Sequence, residues 1–141
     1  AYEMTLFNVD KPPLDFIELA QRLDAFADEV LWLTRAATFL DKSQLFPGAT
    51  FVVGADTLVR ITDPKYYQDD PDLAVAATES LRERGCRFFV FGRVMAGRFS
   101  SLSELNLPTR LREICQEVTS DEFRMDLSST QMRHVRPEAS S

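Results

Sequence analysis

Histidine, cysteine and positive charge are all scarce in this 141-residue sequence. The single histidine, His134, excludes a multi-histidine metal site built from this chain and reads as a solvated helix residue. Cys86 and Cys115, the two cysteines, stand far apart without the paired spacing of zinc or redox motifs, so both read as reduced thiols in or near the core. The 16 Lys and Arg residues face 22 Asp and Glu, a net charge of -6. That balance argues against a general nucleic-acid or anionic-membrane surface, because phosphate binding by bulk charge needs a basic face. Any phosphate ligand must then be held locally. No apolar run approaches the roughly 18–20 residues of a membrane span, and no basic start followed by an apolar stretch marks a secretory signal. A cytoplasmic location is expected. Internal repeats and low-complexity tracts are also missing.

What is present is ordinary for a globular protein: 45% apolar and 27% charged residues, with length for one cored domain and too little for two. One domain over residues 1–136 is expected, with 137–141 as a frayed tail. The chain opens at Ala1 on an apolar stretch already under way, so upstream sequence is expected as well. Periodicity predicts a first strand over 4–9, ended by Asp10-Lys11-Pro12-Pro13, where two prolines remove ladder donors. Asp15 with Glu18 forms a capping-box pattern. It opens a helix of about four turns striped by Phe16, Ala20, Leu23, Ala27 and Val30. A second strand covers 30–34, with Trp32 read as core, and Thr38 with Asp41 starts a short helix that Pro47-Gly48 closes.

A third strand over 50–53 leads into a helical segment over 57–62 that Pro64 terminates. Asp70-Pro71 pairs an N-cap with a proline at the first helical position, Leu73, Ala76, Ala77 and Leu81 make the buried stripe, and Gly85 is the left-handed cap. A fourth apolar strand spans 87–91, and 97–107 reads as loop with a short extended piece. Pro108 opens a helix with Leu111, Ile114, Cys115 and Val118 on its apolar side, and 123–127 is a short last strand. Strands alternating with helices over the whole length argue for α/β class: a doubly wound parallel sheet with right-handed crossovers.

Two stretches carry the chemistry. Phe51-Val52-Val53-Gly54-Ala55-Asp56-Thr57 is an apolar strand, expected to be covered on both faces, that runs into a glycine and a carboxylate. Ligands of open α/β sheets bind beyond the carboxyl ends of strands, which makes Asp56 either a functional acid or a cap for the next helix. Gly54 lets the backbone turn or a ligand approach. Arg93, directly after the fourth strand and Gly92, reaches a phosphate at the same edge or forms a surface ion pair. The second stretch is Ser128-Ser129-Thr130 with Arg133 one turn on: hydroxyls and backbone N–H groups at a helix start with a guanidinium on the same face. It is either a phosphate site or a Ser/Thr cap beside a surface arginine. The acidic run Asp69, Asp70, Asp72 reads as capping and solvated loop.

Taken together, FPGATFVVGADT, the following DPKYY, GCRFFVFGR and the late LSSTQMR resemble the nicotinamide mononucleotide adenylyltransferase-like branch of the nucleotidyltransferase superfamily. The family's I-S-S-T-x-x-R signature is matched with Leu127 in place of isoleucine, and the Asn8 to Leu14 stretch resembles its strand-to-helix connection. The resemblance implies a Rossmann-like sheet that joins ATP to a mononucleotide or similar phosphate-bearing acceptor and releases pyrophosphate, with NAD biosynthesis as the setting. Carried over position by position, Ser128, Ser129, Thr130 and Arg133 would hold the ATP phosphates. Gly54 and Asp56 would line the ribose, with Arg93 beside them, and Mg2+ would accompany the ATP. Neither nucleic acid nor membrane is an expected partner.

The family's H-x-G-H motif is absent, and the one histidine lies at the opposite end of the chain. The resemblance therefore implies a C-terminal part of a larger protein, lacking an inner strand, a helix and half of the phosphate site, and poorly active or inactive alone. A noncatalytic nucleotide-binding or interaction domain of the same fold is the alternative. An unrelated α/β domain, in which Ser128 to Thr130 only cap a helix, is the third reading.

Overall fold

The computed structural model describes residues 1–7, 12 and 14–119. Strand β1 (Tyr2–Thr5) pairs in parallel with β2 (Leu31–Thr34), and α1 (Phe16–Asp24) connects them. The helix begins as its sequence dictates, with the Asp15 carboxylate accepting the Glu18 N–H at 2.7 Å. It ends well before the expected limit. Tightened turns from Ala25 to Arg22 and from Phe26 to Leu23 close it at 3.2 and 2.9 Å, and Asp24, Asp28 and Glu29 crowd negative charge at the helix's negative end. None of its residues is buried and Phe16 is 90% exposed, so the predicted stripe is not a core face.

The core belongs to a second sheet. Strands β3 (Thr50–Gly54), β4 (Arg87–Phe91) and β7 (Cys115–Val118) run parallel, with β4 in the centre. Register puts Phe51 beside Phe88 and Val53 beside Val90 on one face. There they meet Leu58, Ile61, Leu81, Leu102 and Leu111. On the other face Val52 is 64% and Phe89 38% exposed. The expectation of cover on both faces is thus corrected: among the described residues one face is packed and the other open. Helix α2 (Phe39–Leu45) ties the sheets together. Its Phe39 ring meets Phe51 and Phe88 edge-on at 5.3 and 5.5 Å, while Phe46 just beyond it meets Trp32 at 5.8 Å. Trp32 is more than half exposed, flanking the core where sequence placed it inside.

Helix α3 (Ala55–Ile61) follows β3 without a gap, and α4 (Pro71–Glu83) starts at Asp70, whose side chain accepts from the Asp72 and Leu73 N–H groups at 2.8 and 3.4 Å. Gly85 takes a positive φ of 72° after it, the left-handed cap that favours glycine. The buried stripe of α4 is Ala74, Ala77, Thr78 and Leu81, rotated from the predicted one. Small side chains let this helix lie close, which leaves Leu73 and Ala76 outside.

Two regions read differently in three dimensions. The stretch 97–107, read as loop with a short extended piece, holds that piece as β6 (Arg98–Ser100), and the hairpin it forms with β5 (Arg93–Met95), just before the stretch, is what sequence did not show. Its turn, Ala96 and Gly97 at φ 49° and 78°, has the positive-φ pair that matches strand twist. The predicted helix after Pro108 stops early: α5 is Thr109–Arg112, and Cys115 to Val118 form β7 instead. Pairing with the central strand, beginning with Phe88 N–H to Ile114 C=O at 2.9 Å, outweighs a helical apolar period over so few residues. The strand expected over 123–127 lies outside the described residues.

Both cysteines are free; Cys86 is buried and Cys115 half-buried, as read from their spacing. Burial pushes the Cys115 thiol up to about 11, against a smaller opposing pull from Arg112. Its thiolate fraction at pH 8 is then about two orders of magnitude below that of an ordinary thiol. Iodoacetamide at pH 8 is expected to leave Cys115 unlabelled in the native chain and to label it once urea unfolds the protein; fast native labelling contradicts the packing. Because the folded value is raised, the stability this thiol contributes is complete below the unfolded value near 9 and is lost as pH rises towards about 11.

Candidate functional site at the carboxyl edge of the parallel strands

Strands β3 and β4 are paired so that Gly54 lies beside Phe91. Both chains then turn at the same edge. Gly54 is the N-cap of α3 and makes no side-chain cap bond, which puts Asp56 in the first helical turn. Asp56 therefore does not cap α3. Its Oδ1 lies 3.7 Å from Nε of Arg93, the first residue of β5. Of the two readings of Arg93, an ion pair is present, and its partner is the acid at the neighbouring strand end.

Gly54 is required here for space. Its φ is -81°, open to any residue. A Cβ at that position would stand 2.5 Å from Asp56 Oδ1, 2.7 Å from Arg93 Nε and 2.9 Å from Arg93 Cγ. The pair lies directly across the glycine. Asp56 is 49% and Arg93 26% exposed, so the contact contributes below about 1 kcal/mol to folding. Its value is positional: it presents carboxylate oxygens and a guanidinium together at the sheet edge.

A cavity of about 190 Å3 is walled by Thr5 at the end of β1, Thr38 and Lys42 at the start of α2, Thr57 and Arg60 of α3, and Tyr67; Gly54, Asp56 and Arg93 are not among its walls, and Thr57, next after Asp56 in α3, is the link between the two. Since a cavity near 150 Å3 accepts one benzene ring, this one suits a single ring or one phosphate group, and a larger ligand would extend past it. Each wall is fixed by local chemistry. A capping box sets α2: the Asp41 N–H donates to Thr38 Oγ1 and the Thr38 N–H to Asp41 Oδ2, both at 3.1 Å. Lys42, next along, is turned inward, nearly buried, and ion-paired with Glu3 of β1. Glu3 also accepts from Thr34 Oγ1 at 2.5 Å. Tyr67 donates its hydroxyl to the Ile61 carbonyl at 2.9 Å, and burial, with Asp41's charge second, raises its pKa. Tyr67 is thus a neutral donor at ordinary pH.

A further cavity, bordered by Thr62, Pro64, Pro71, Val75, Pro108 and Arg110, presents mainly apolar surface. The structure brings Gly54, Asp56 and Arg93 together. Ser128, Ser129, Thr130, Arg133 and His134 lie outside the described residues. Sequence reading missed Lys42, Thr38, Arg60 and Tyr67 as cavity walls. A signal existed for Lys42: it sits three residues after Phe39, on the same inward helix face. Among the described residues no group of three or more His, Cys, Asp or Glu side chains can hold a metal ion, and no helix is long and apolar enough to cross a membrane. Comparison with protein-family models, with curated proteins and with solved structures gave no match to this chain.

Proposed function

We propose that this chain is a nucleotidyltransferase-type module that holds ATP next to a phosphate-bearing acceptor, for adenylyl transfer with release of pyrophosphate. The observation that carries the reading is the Asp56–Arg93 pair laid across Gly54 at the carboxyl edge of parallel strands. Asp56 offers acceptor oxygens to ribose hydroxyls, and Arg93 a charge to a phosphate. In the transfer, an acceptor phosphate oxygen bonds to the α-phosphorus while the bond to the bridging oxygen breaks, and pyrophosphate leaves with the electron pair. Such a step needs positioning and charge neutralisation rather than a covalent intermediate.

Ser128, Ser129, Thr130 and Arg133 are the proposed remainder of the phosphate site. Mg2+ would come with the ATP; the described residues supply no cage for it, so no protein ligand is assigned and no step passes through it. The finer architecture proposed is a Rossmann-like, doubly wound sheet in which a further inner strand lies between β1 and β3, whose second edges are unpaired among the described residues.

The test is ATP binding with Mg2+ by thermal shift and calorimetry. A ligand at one hundred times its Kd stabilises a protein by about 2.7 kcal/mol, and absence of any shift at millimolar ATP sinks the reading. Gly54→Ala is expected to weaken ATP binding at least tenfold, about 1.4 kcal/mol, because its methyl displaces Asp56 and Arg93. Without ligand the same variant is expected to cost about 1–2 kcal/mol, since the exposed Asp56 side chain can swing into solvent but the mostly covered Arg93 must give way at its stem. The pairing of Lys42 and Arg93 with carboxylates favours a second reading, nucleotide binding without turnover. ATP binding with no pyrophosphate release in the presence of mononucleotide acceptors selects it.

A further inference from the structure

The hairpin that follows β4 carries a second close fit between a glycine and a large side chain. Gly92 is buried, and a Cβ there would lie 2.3, 2.8 and 3.1 Å from Cζ, Cε1 and Cε2 of Phe99. The ring therefore lies directly on the Gly92 backbone. Hairpin register explains how. Arg93 opposes Ser100 and Val94 opposes Phe99, so Gly92, two residues before Val94, is the diagonal neighbour of Phe99 on the same face, within reach of an aromatic ring. An aromatic side chain covering a glycine in this way restores the packing the glycine lacks.

Arg93 is the residue directly after that clamp. Its own side chain runs across Gly54 to Asp56. The two glycines thus work in series: Gly92 makes room for Phe99, and Gly54 makes room for Arg93. The turn that returns Phe99 to Gly92 is itself specified, by Ala96 and Gly97 at positive φ. Beyond the hairpin the Arg98 guanidinium meets Glu104 at 2.5 Å, and the Glu104 carboxylate accepts the Ser101 N–H at 2.9 Å, which anchors the outgoing strand.

We propose that Phe99 is a positioning residue for Arg93: its ring locks Gly92 and thereby aims the Arg93 guanidinium at the ligand edge beside Asp56. This rests on the nucleotide-site reading above for its effect on ligand, and on the hairpin geometry alone for its effect on Arg93. The experiment uses the full chain, with Mg2+-ATP as the probe. Arg93→Ala, Phe99→Ala, Phe99→Tyr and the Arg93→Ala/Phe99→Ala double variant are compared by calorimetry and by the NMR order parameter of the Arg93 Nε–Hε group. Phe99→Ala is expected to weaken ATP binding about tenfold, and the double variant to bind no more weakly than Arg93→Ala alone, since coupled residues are non-additive. In Phe99→Ala the Arg93 order parameter is expected to fall below about 0.6, the range of flexible groups. Phe99→Tyr, which keeps the ring, restores both readouts and shows that the loss is not general unfolding.

Additive losses, or an Arg93 group that stays ordered without the ring, overturn the proposal. Should the unsubstituted chain bind no ATP while Arg93 still loosens in Phe99→Ala, the positioning role holds and the nucleotide reading fails. Should ATP bind while Arg93 ignores Phe99, the reverse is true.

Discussion

Truncation of Phe88 to alanine is expected to lower the unfolding free energy by about 3–5 kcal/mol, roughly a fifth or more of the 5–15 kcal/mol that holds a domain of this size. Phe88 has no accessible surface and is the largest of the fully buried side chains. Its ring meets Phe39 at 5.5 Å and Phe51 at 5.7 Å. The cost falls at the upper part of the range because the site cannot collapse. Phe88 belongs to the central strand, tied to β3 on one edge and β7 on the other, so its backbone cannot move into the void. The adjoining residue supplies the control. Phe89 has the same chemistry on the open face, and Phe89→Ala is expected to cost below about 1.5 kcal/mol, as its ring already meets water. Urea midpoints at unchanged slope measure both. Equal losses from the two variants would contradict a core packed on one side of this sheet.

That pair of neighbours also shows what the sequence made legible. The strands at 31–34, 50–54 and 87–91 were readable because a short apolar run bounded by glycine, proline or charge has few alternatives. So were the caps at Asp15, Thr38, Asp70 and Gly85, each a local interaction within four residues of its partner. Which face of a strand meets a helix is not local. Phe51-Val52-Val53 is uniformly apolar, and only the placement of α2, α3 and α4 makes Phe51 and Val53 inner and Val52 outer. The segment after Pro108 failed for the same reason: Leu111, Ile114, Cys115 and Val118 satisfy a helical period, yet a ladder to residues 88–91 decides their conformation.

The site divides in the same way. Gly54, Asp56 and Arg93 were visible because strand ends place chemistry at a predictable edge. That Gly54 makes room for an arginine side chain, and that Gly92 does so for Phe99, is not a sequence property, since each partner comes from a different element. The cavity walled by Lys42 and Arg60 draws on β1, α2 and α3, far apart in sequence, and no linear motif joins Thr5, Lys42 and Arg60.

Removing Glu3 is expected to be nearly as costly as truncating Phe88, for an electrostatic reason. Lys42 is nearly buried at the cavity wall, and the Glu3 carboxylate is its partner. Glu3→Ala leaves an ammonium in poorly solvated surroundings and is expected to cost about 3 kcal/mol, the lower end for a broken buried pair because the Glu3 side chain is one-fifth exposed. Lys42→Met leaves the carboxylate with the Thr34 hydroxyl as donor and some contact with water, so its cost is expected to stay near about 1–2 kcal/mol. The double variant Glu3→Met/Lys42→Met is expected to recover most of the loss, since replacing both charges by apolar groups of similar volume is often neutral. Stability and site then separate. Glu3 lies on β1 and Lys42 on α2, so the pair holds two walls of the cavity at a fixed spacing and leaves Lys42 with further N–H donors there. If the cavity receives a polar part of the ligand, the double variant will melt close to the unsubstituted chain yet bind that ligand at least about tenfold more weakly, the effect of one lost charge-assisted hydrogen bond. Calorimetry with nucleotide on the two chains decides it: equal affinity at equal stability would make the pair purely structural and would move the ligand out of the cavity, to the Asp56–Arg93 edge alone.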